Sequence, residues 1–448
     1  MLDALPPDAR AAFAAAALVA LPGVLVVRAP WRAMPLVSLA FWVTSWTWFL
    51  GASRLRFLHV VLMMLAALSV FRLVRPGPFP RRGWAPVLIA VAAIVLAAPQ
   101  PRRTVPSGTD APIDALAAEL LAWHDGWPAS FEPLSPRQPF AASGLAAVSA
   151  DVILLSRAPA HRALLAVRVL ADVALLLALW SLARIRVPPA RAALVAAAAL
   201  LPTAAVAEGS GVLAAAFAVE AAALWHDHRG HPSAFTAGVC TAAGLATDSA
   251  TALCALILAL LFTRPGPGPT MDRTPAPSAS GRLRTAVWTA AVLALPLLWR
   301  PPRLDVPDAA ALAAVAFTGL LGLAARRSAG AWRVVSPVLG ALAVAGPFLG
   351  GRAADVVTRD EAAAMAWIRD HTLPLDLVCA PDLPSARWIP ALAARATTVP
   401  LRPGWPRPDG VCAVRISLSG LLPPDANDGE TEAFRAGQAV VWTTSQRR

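Results

Sequence analysis

The sequence contains no lysine and no tyrosine among its 448 residues, and its single asparagine is Asn427. All 39 basic side chains are therefore arginines, which give a formal charge of +12 against 27 acidic residues. Loss of Lys, Tyr and Asn beside abundant Ala, Arg, Gly and Pro is typical of a GC-rich coding bias, so the positive charge does not indicate a nucleic-acid partner. Four cysteines are too few for a disulfide-stabilised scaffold, and the 43 prolines follow no period, which excludes a collagen-like chain.

Charged residues are also scarce. They make up 15% of the chain, whereas 57% of the residues are hydrophobic and the mean hydropathy is +0.59. A helix needs about 20 mostly apolar residues to cross a bilayer, and about twelve blocks meet this condition, which predicts a mainly α, polytopic membrane helical bundle. Eight blocks are uncharged and lie between Arg10 and Arg28, Arg32 and Arg54, Arg56 and Arg72, Arg82 and Arg102, Arg191 and Glu208, Arg284 and Arg300, Asp308 and Arg326, and Arg333 and Arg352. Four more contain one or two ionisable residues, at 139–156, 162–183, 209–226 and 233–263.

Three segments differ in composition and define the domain organisation. Residues 100–138 form a long acidic loop within a transmembrane domain at 1–351, and residues 264–283 are a Pro/Gly/Ser-rich linker. Residues 352–448 have the mixed composition of a small soluble α/β domain. Short Arg-rich loops favour the cytoplasm. We therefore expect a multi-pass protein of the cell inner (plasma) membrane, with the linker cytoplasmic and both the loop and the C-terminal domain extracytoplasmic.

The C-terminal domain contains local signals for both helices and strands. Thr358 followed by Glu361 has the pattern of a capping box at the start of a helix. Strands are predicted near 376–380, 397–401, 411–416 and 439–444, and helices at 384–394 and 429–437. Cys379 and Cys412 fall in two of these strands. We expect them to be two buried thiols, although an oxidising compartment allows a disulfide.

The acidic loop contains the first candidate site residue, Asp110. Apolar residues recur at helical spacing in 113–124, directly after it, which predicts an amphipathic helix on the membrane surface with Glu119 turned to water. A carboxylate at this position can act as a general base on a hydroxyl group, or hold a divalent cation against a phosphate. It can equally cap the helix, as Asp commonly does. The spacing alone leaves these alternatives open.

Asp248 is the carboxylate placed most deeply within an apolar block, because 232–247 before it and 249–263 after it are uncharged. Carboxylates at membrane depth are usually functional, so we expect Asp248 to face a hydrated cavity. The block is long enough for one tilted helix or for two helices that meet near Asp248. Asp172, in contrast, is explained by an ion pair with Arg168 one helical turn earlier.

Two stretches resemble a known family. Asp110, the predicted helix, Trp127-Pro128 and Gly144 follow one another as in the first large extracytoplasmic loop of GT-C-type membrane glycosyltransferases. These enzymes are similar to protein O-mannosyltransferases and use polyprenyl-phosphate-linked sugars. Trp367–Arg369 and Trp388–Leu392 are similar to elements in the C-terminal portion of bacterial relatives. The two stretches cover only part of the chain.

The resemblance implies a membrane glycosyltransferase that moves a sugar from a polyprenyl-phosphate donor to an extracytoplasmic acceptor. It makes Asp110 the catalytic residue, and Arg102 and Arg137, at the two ends of the loop, are expected to hold the donor phosphate. Relatives often have His four residues after the loop Asp and His within a later span, where this sequence has Asp114 and Asp248. We assign both of these carboxylates to substrate binding.

The two departures from the family pattern leave other functions open. One alternative is a diverged, non-catalytic relative, and another is a transporter or flippase of lipid-linked or small substrates. No cofactor follows with certainty, and a divalent cation is the candidate, since Asp114 offers the oxygen ligands that hard cations prefer. The expected partners are the lipid-linked sugar donor and membrane lipids, without nucleic acid.

Overall fold

The computed structural model describes residues 5–22, 33–48, 54–73, 104–106, 108, 110–124, 127–135, 140–200, 209–227, 231–263, 279–295, 308–327, 356–402, 405–408, 410–421 and 430–444. Fourteen α-helices and one four-stranded sheet lie in these residues. The helices are α1 (Pro7–Ala20), α2 (Met34–Trp48), α3 (Arg54–Leu73), α4 (Ala111–Trp123), α5 (Gly144–Ser156), α6 (Ala160–Arg184), α7 (Pro189–Leu200), α8 (Gly209–Asp227), α9 (His231–Thr247), α10 (Ser249–Thr263), α11 (Ala279–Ala294), α12 (Ala309–Arg327), α13 (Arg359–His371) and α14 (Ile389–Ala393). The strands are β1 (Leu377–Cys379), β2 (Cys412–Ser417), β3 (Glu430–Ala436) and β4 (Ala439–Thr444).

Helix α8 forms the centre of the helical part and packs against α6, α9 and α10. Its run Ala214–Ala216 and Phe217 have no exposed surface. Alanine side chains are small, so neighbouring helices pack closely on all sides of α8. The apolar runs of the sequence therefore form a helix-on-helix core.

The prediction of about twelve membrane-spanning helices is wrong. Among the described residues, two helices are long and apolar enough to cross a membrane, Ala160–Arg184 and Gly209–His226, and both are mostly buried within the chain. The other apolar helices have 10–17 residues in their apolar parts, at most about 26 Å at 1.5 Å per residue, against a hydrocarbon core of about 30 Å. The blocks at 82–102 and 333–352 lie outside the described residues, as does most of the linker 264–283.

The block around Asp248 is divided into two helices, which is the second of the two alternatives left open by the sequence. Helix α9 ends at Thr247 and α10 begins at Ser249. The Asp248 carboxylate accepts a hydrogen bond from the Thr251 backbone N–H at 3.1 Å and another from the Thr251 hydroxyl at 2.7 Å. Asp248 therefore caps α10, which satisfies a buried carboxylate within the fold. Its assignment to substrate binding stays a prediction.

The C-terminal sheet has the strand order β1-β2-β4-β3, with β1 parallel to β2 and the other pairs antiparallel. Helix α13 packs against β3 and β4. The predicted capping box is confirmed, since the Thr358 hydroxyl accepts from the Glu361 N–H and the Glu361 carboxylate accepts from the Thr358 N–H.

Three expectations for this domain are corrected. Residues 429–437 contain strand β3, not a helix, because β3 and β4 form a hairpin whose turn uses Gly437 at a φ of +52°. The segment near 397–401 contributes one parallel bridge, from Thr397 to Val378, in place of a strand. Cys379 and Cys412 are joined in a disulfide, with their Cα atoms 5.6 Å apart on the adjacent strands β1 and β2.

Candidate functional site

Five helices begin at one end of the helical part. Their starting points are Asp110 before α4, Ser143 before α5, Gly209 of α8, Asp248 before α10 and Asp308 before α12. The Ser143 hydroxyl donates to Asp114 Oδ1 at 2.8 Å, which joins the starts of α4 and α5. The Asp308 N–H donates to Thr251 Oγ1 at 2.9 Å, which joins those of α12 and α10. Helix N-termini expose backbone N–H groups, and at three of these starts the side chains of Ser143, Asp248 and Asp308 accept from them.

Two glycines allow these helix starts to come together. Gly108 has a φ of +124°, a backbone conformation that L side chains rarely adopt. At Gly144, the first residue of α5, an added Cβ would overlap with the Thr247 side chain at the end of α9. A side chain at either position would force the loop or the helices apart.

Asp110 precedes α4 at the capping position, but its side chain makes no capping hydrogen bond to that helix. The residue is 5% exposed. Its Oδ1 lies 3.8 Å from Nε of Arg402, which belongs to the C-terminal domain. The capping alternative is therefore wrong in this structure, and the carboxylate is directed to an ion pair across the two domains.

Asp110, Asp114 and Arg168 line the same cavity, together with Gly108 and Ser210. Arg168 lies on α6 and is 4% exposed, so its guanidinium is a buried positive charge beside two carboxylates. The cavity has a volume of about 10 Å³, about the space that one water molecule needs. The site thus combines two carboxylates and a cation in a small space.

Asp114 is held in a fixed position. It is 2% exposed and accepts the hydrogen bond from Ser143. Ser143 in turn caps α5 by accepting from the Ala146 N–H at 3.1 Å. One hydroxyl therefore orients a carboxylate of the cavity and starts the neighbouring helix.

The C-terminal domain contacts the Asp110 loop through residues 401, 402 and 405–408. Arg402 pairs with Asp110, and the Trp405 ring lies against Phe131 with a centroid distance of 5.8 Å. Helix α14 adds contacts with α4 and α6. Arg402 therefore links the two domains at Asp110, although it does not line the cavity.

Of the predicted site residues, Asp110 and Asp114 are brought together, whereas Asp248 lies at the same end of the bundle and caps α10. Arg102 and Arg137 lie outside the described residues.

Two arginines near Asp110 were not predicted from the sequence as site residues. Arg168 was attributed to an ion pair with Asp172, although a cation within an apolar block is itself a functional signal. No sequence pattern links Arg402 to Asp110, because Arg402 follows it by almost 300 residues and lies in another domain.

The arrangement of acidic side chains at this site does not support metal binding. Within the described part of the chain, no group of three or more His, Cys, Asp or Glu side chains is arranged to hold a metal ion. Asp110 and Asp114 share their cavity with the Arg168 guanidinium, and a neighbouring cation disfavours a second positive charge.

Helix α4 is present at Ala111–Trp123, but it does not turn Glu119 to water as expected. Leu116 and Leu120 are buried in the core, and Glu119 is itself half-buried. Its Oε2 is buried with no hydrogen-bond partner among the described residues. Desolvation raises the pKa of Glu119 to about 7, and the nearby Arg369 guanidinium opposes this shift.

This raised pKa predicts a pH dependence of stability. Folded Glu119 holds its proton up to about pH 7, while the unfolded chain releases it near 4.5, so the stabilising effect is complete at low pH and is lost as pH rises through 7. A pKa shift of this size changes the free energy of unfolding by about 3 kcal/mol at most. Because glutamine stays neutral, Glu119→Gln should gain stability relative to wild type between pH 5 and pH 8 in chemical unfolding experiments.

The control for this experiment is Glu132→Gln, which changes an exposed carboxylate near the same loop. Its stability should follow the wild-type pH dependence. An identical pH dependence for Glu119→Gln and wild type would show that Glu119 is not protonated in the folded chain.

Comparison with known proteins finds no matching family model, no matching curated protein and no matching solved structure. The resemblance to GT-C-type glycosyltransferases therefore rests on the residues quoted above. Function must be inferred from the cavity itself.

Proposed function

We propose that this chain is a glycosyltransferase that moves a sugar from a polyprenyl-phosphate donor to a hydroxyl acceptor in the Asp110 cavity. The observation that supports it most is the Asp110 carboxylate, which does not cap its own helix and shares a buried cavity with Arg168. Sugar transfer from a phosphate needs a base for the acceptor and a cation for the leaving group. Asp110 and Arg168 lie within one cavity and supply these two groups in the proposal.

In the proposed reaction Asp110 accepts the proton of the acceptor hydroxyl. The acceptor oxygen forms a bond to the anomeric carbon of the sugar, and the bond from that carbon to the phosphate oxygen breaks. The electron pair of this bond stays on the polyprenyl phosphate, whose increased negative charge is stabilised by Arg168 through charge-assisted hydrogen bonds. Asp114, fixed by Ser143, orients the sugar hydroxyls.

The Asp110 cavity is too small for the donor, so a conformational step must precede donor binding. A space of about 10 Å³ holds about one water molecule and no sugar. We propose that the Arg402–Asp110 pair breaks in this step and that Arg402 then contacts the donor phosphate. Conformational steps of this kind commonly limit enzyme turnover.

The test of this function is turnover of donor by the purified full chain in lipid nanodiscs. Polyprenyl-phosphate hexose and pentose donors, labelled in the sugar, are incubated with hydroxyl acceptors, and released polyprenyl phosphate is quantified. We expect release from at least one donor above a protein-free control. Release from none of the donors would favour the non-catalytic relative.

The proposed lipid donor also requires contact with a membrane. Helix α10 exposes Leu253, Ile257 and Leu261 at 49%, 58% and 59%, at successive helical turns. Helix α11 exposes Val287 and Trp288 in a similar way. Exposed apolar faces of this kind commonly mark membrane or protein contacts. We propose that these faces contact lipid at the inner membrane, with the Asp110 cavity on the extracytoplasmic side.

This placement predicts that polar substitutions on α10 weaken lipid binding. A variant with serine at 253, 257 and 261 should bind vesicles at least about tenfold more weakly in flotation assays, because each buried leucine or isoleucine contributes about 1.5–3 kcal/mol when fully removed from water. The matched control has serine in place of the exposed Leu373, Leu375 and Val411 of the C-terminal domain. Equal losses in both variants would contradict a specific lipid face on α10.

A further inference from the structure

A second cavity lies in the C-terminal domain and shares no lining residue with the Asp110 cavity. Its volume is about 290 Å³, close to the lower end of the range for small-molecule sites. The disulfide between Cys379 and Cys412 forms one wall. Thr398, Arg407, Arg415 and the carboxylate of Asp382 contribute polar groups.

The position of this cavity follows from the parallel part of the sheet. Strand β1 runs parallel to β2, and the bridge from Val378 to Thr397 adds a third segment in the same direction. Lining residues Ala380 and Thr398 directly follow the carboxyl ends of β1 and of this bridge. Strand β2 contributes Cys412, its first residue, and Arg415 from its middle.

The polar lining favours an oxyanion. Arg415 is 9% exposed, and its Nε lies 2.6 Å from Glu430 Oε1, so its guanidinium is fixed beside the cavity. Arg407 is largely exposed and lies 3.6 Å from Asp382, beyond hydrogen-bond distance. The Thr398 hydroxyl accepts from the Ala380 N–H at 3.3 Å, which leaves its own O–H as a donor.

We propose that this cavity is a second ligand site, which binds a small molecule through a carboxylate or phosphate group. The oxyanion lies between Arg407 and Arg415 and accepts from the Thr398 hydroxyl. Arg407 exchanges its long contact with Asp382 for a bidentate pair with the ligand. The disulfide and Val399 contact the apolar part of the ligand. This site is independent of sugar transfer at Asp110.

The test is isothermal titration calorimetry of the full chain with inorganic phosphate and, separately, with succinate, each at constant ionic strength set with chloride. Wild type should bind at least one of the two anions. Arg407→Ala should weaken this binding by about tenfold or more, since hydrogen bonds to charged groups contribute about 1.5–3 kcal/mol. Thr398→Val should also weaken it. Binding of phosphate alone or succinate alone identifies the oxyanion.

Two control variants distinguish this site from other arginines. Arg435→Ala removes an exposed arginine on β3, which pairs with Glu432 outside the cavity. Arg191→Gln removes an exposed arginine on α7 outside both cavities. Both should bind the anion as wild type does. Loss of binding in either control but not in Arg407→Ala, or absence of binding in wild type, would overturn the proposal.

Discussion

Asp110→Asn should reduce sugar transfer by about two to four orders of magnitude, the usual cost of losing a general base. Asparagine has nearly the same shape but cannot accept the acceptor proton. The Asp110 side chain does not cap α4, but it is buried and shares its cavity with the buried Arg168 guanidinium, so some loss of thermal stability is also expected. The loss of activity should exceed what the folded fraction accounts for. Rate and melting temperature are measured on the same preparation.

The matched control is Asp370→Asn, which removes an exposed carboxylate at the end of α13. This variant should retain both transfer and stability. Full activity of Asp110→Asn would remove Asp110 from the mechanism. A loss of activity that parallels a loss of folding would assign Asp110 a structural role.

Arg168→Gln has the second large expected effect, because a buried guanidinium stabilises charge more strongly than an exposed one. Removal of a preorganised donor to a developing anion typically costs about 10² to 10³ in kcat. We expect a loss in this range together with a raised KM for the lipid-phosphate donor. Steady-state kinetics with varied donor concentration separates the two effects.

Arg191→Gln is the control for this variant, since Arg191 is an exposed arginine on α7 outside the cavity. Circular dichroism and a thermal melt are used to test whether the Arg168→Gln variant is folded. If a folded Arg168→Gln variant had wild-type kcat and KM, the leaving phosphate would not bind at this cavity.

Local signals in the sequence predicted many individual elements. The capping box at Thr358 and Glu361 was found because capping depends on residues three positions apart. The division of an apolar block near Asp248 was one of two expected alternatives, since a carboxylate there must be capped or paired. The proximity of Asp110 and Asp114 follows from their positions at the cap and in the first turn of one predicted helix, and their roles stay predictions.

Contacts between residues that are distant in the sequence could not be predicted from local patterns. An Ala-rich run has the same hydropathy whether it faces lipid or other helices, so the run in α7 was attributed to a membrane span although this helix has only 12 residues and packs its alanines in the core. Glu119 was assigned to water on helical periodicity, but α14 and α6 cover α4 from other parts of the chain. The ion pair between Arg402 and Asp110 was not predicted for the same reason, since a contact between two domains produces no local sequence pattern.

The most direct test of the central claim is a cryo-EM structure of the full chain in nanodiscs with a polyprenyl-phosphate sugar and the Asp110→Asn substitution, which prevents turnover. We expect the donor phosphate within about 3 Å of the Arg168 guanidinium, the anomeric carbon facing residue 110, and Arg402 moved away from residue 110. A donor phosphate bound away from Arg168, with Arg402 still against residue 110 and the cavity closed, would contradict the proposed glycosyltransferase site.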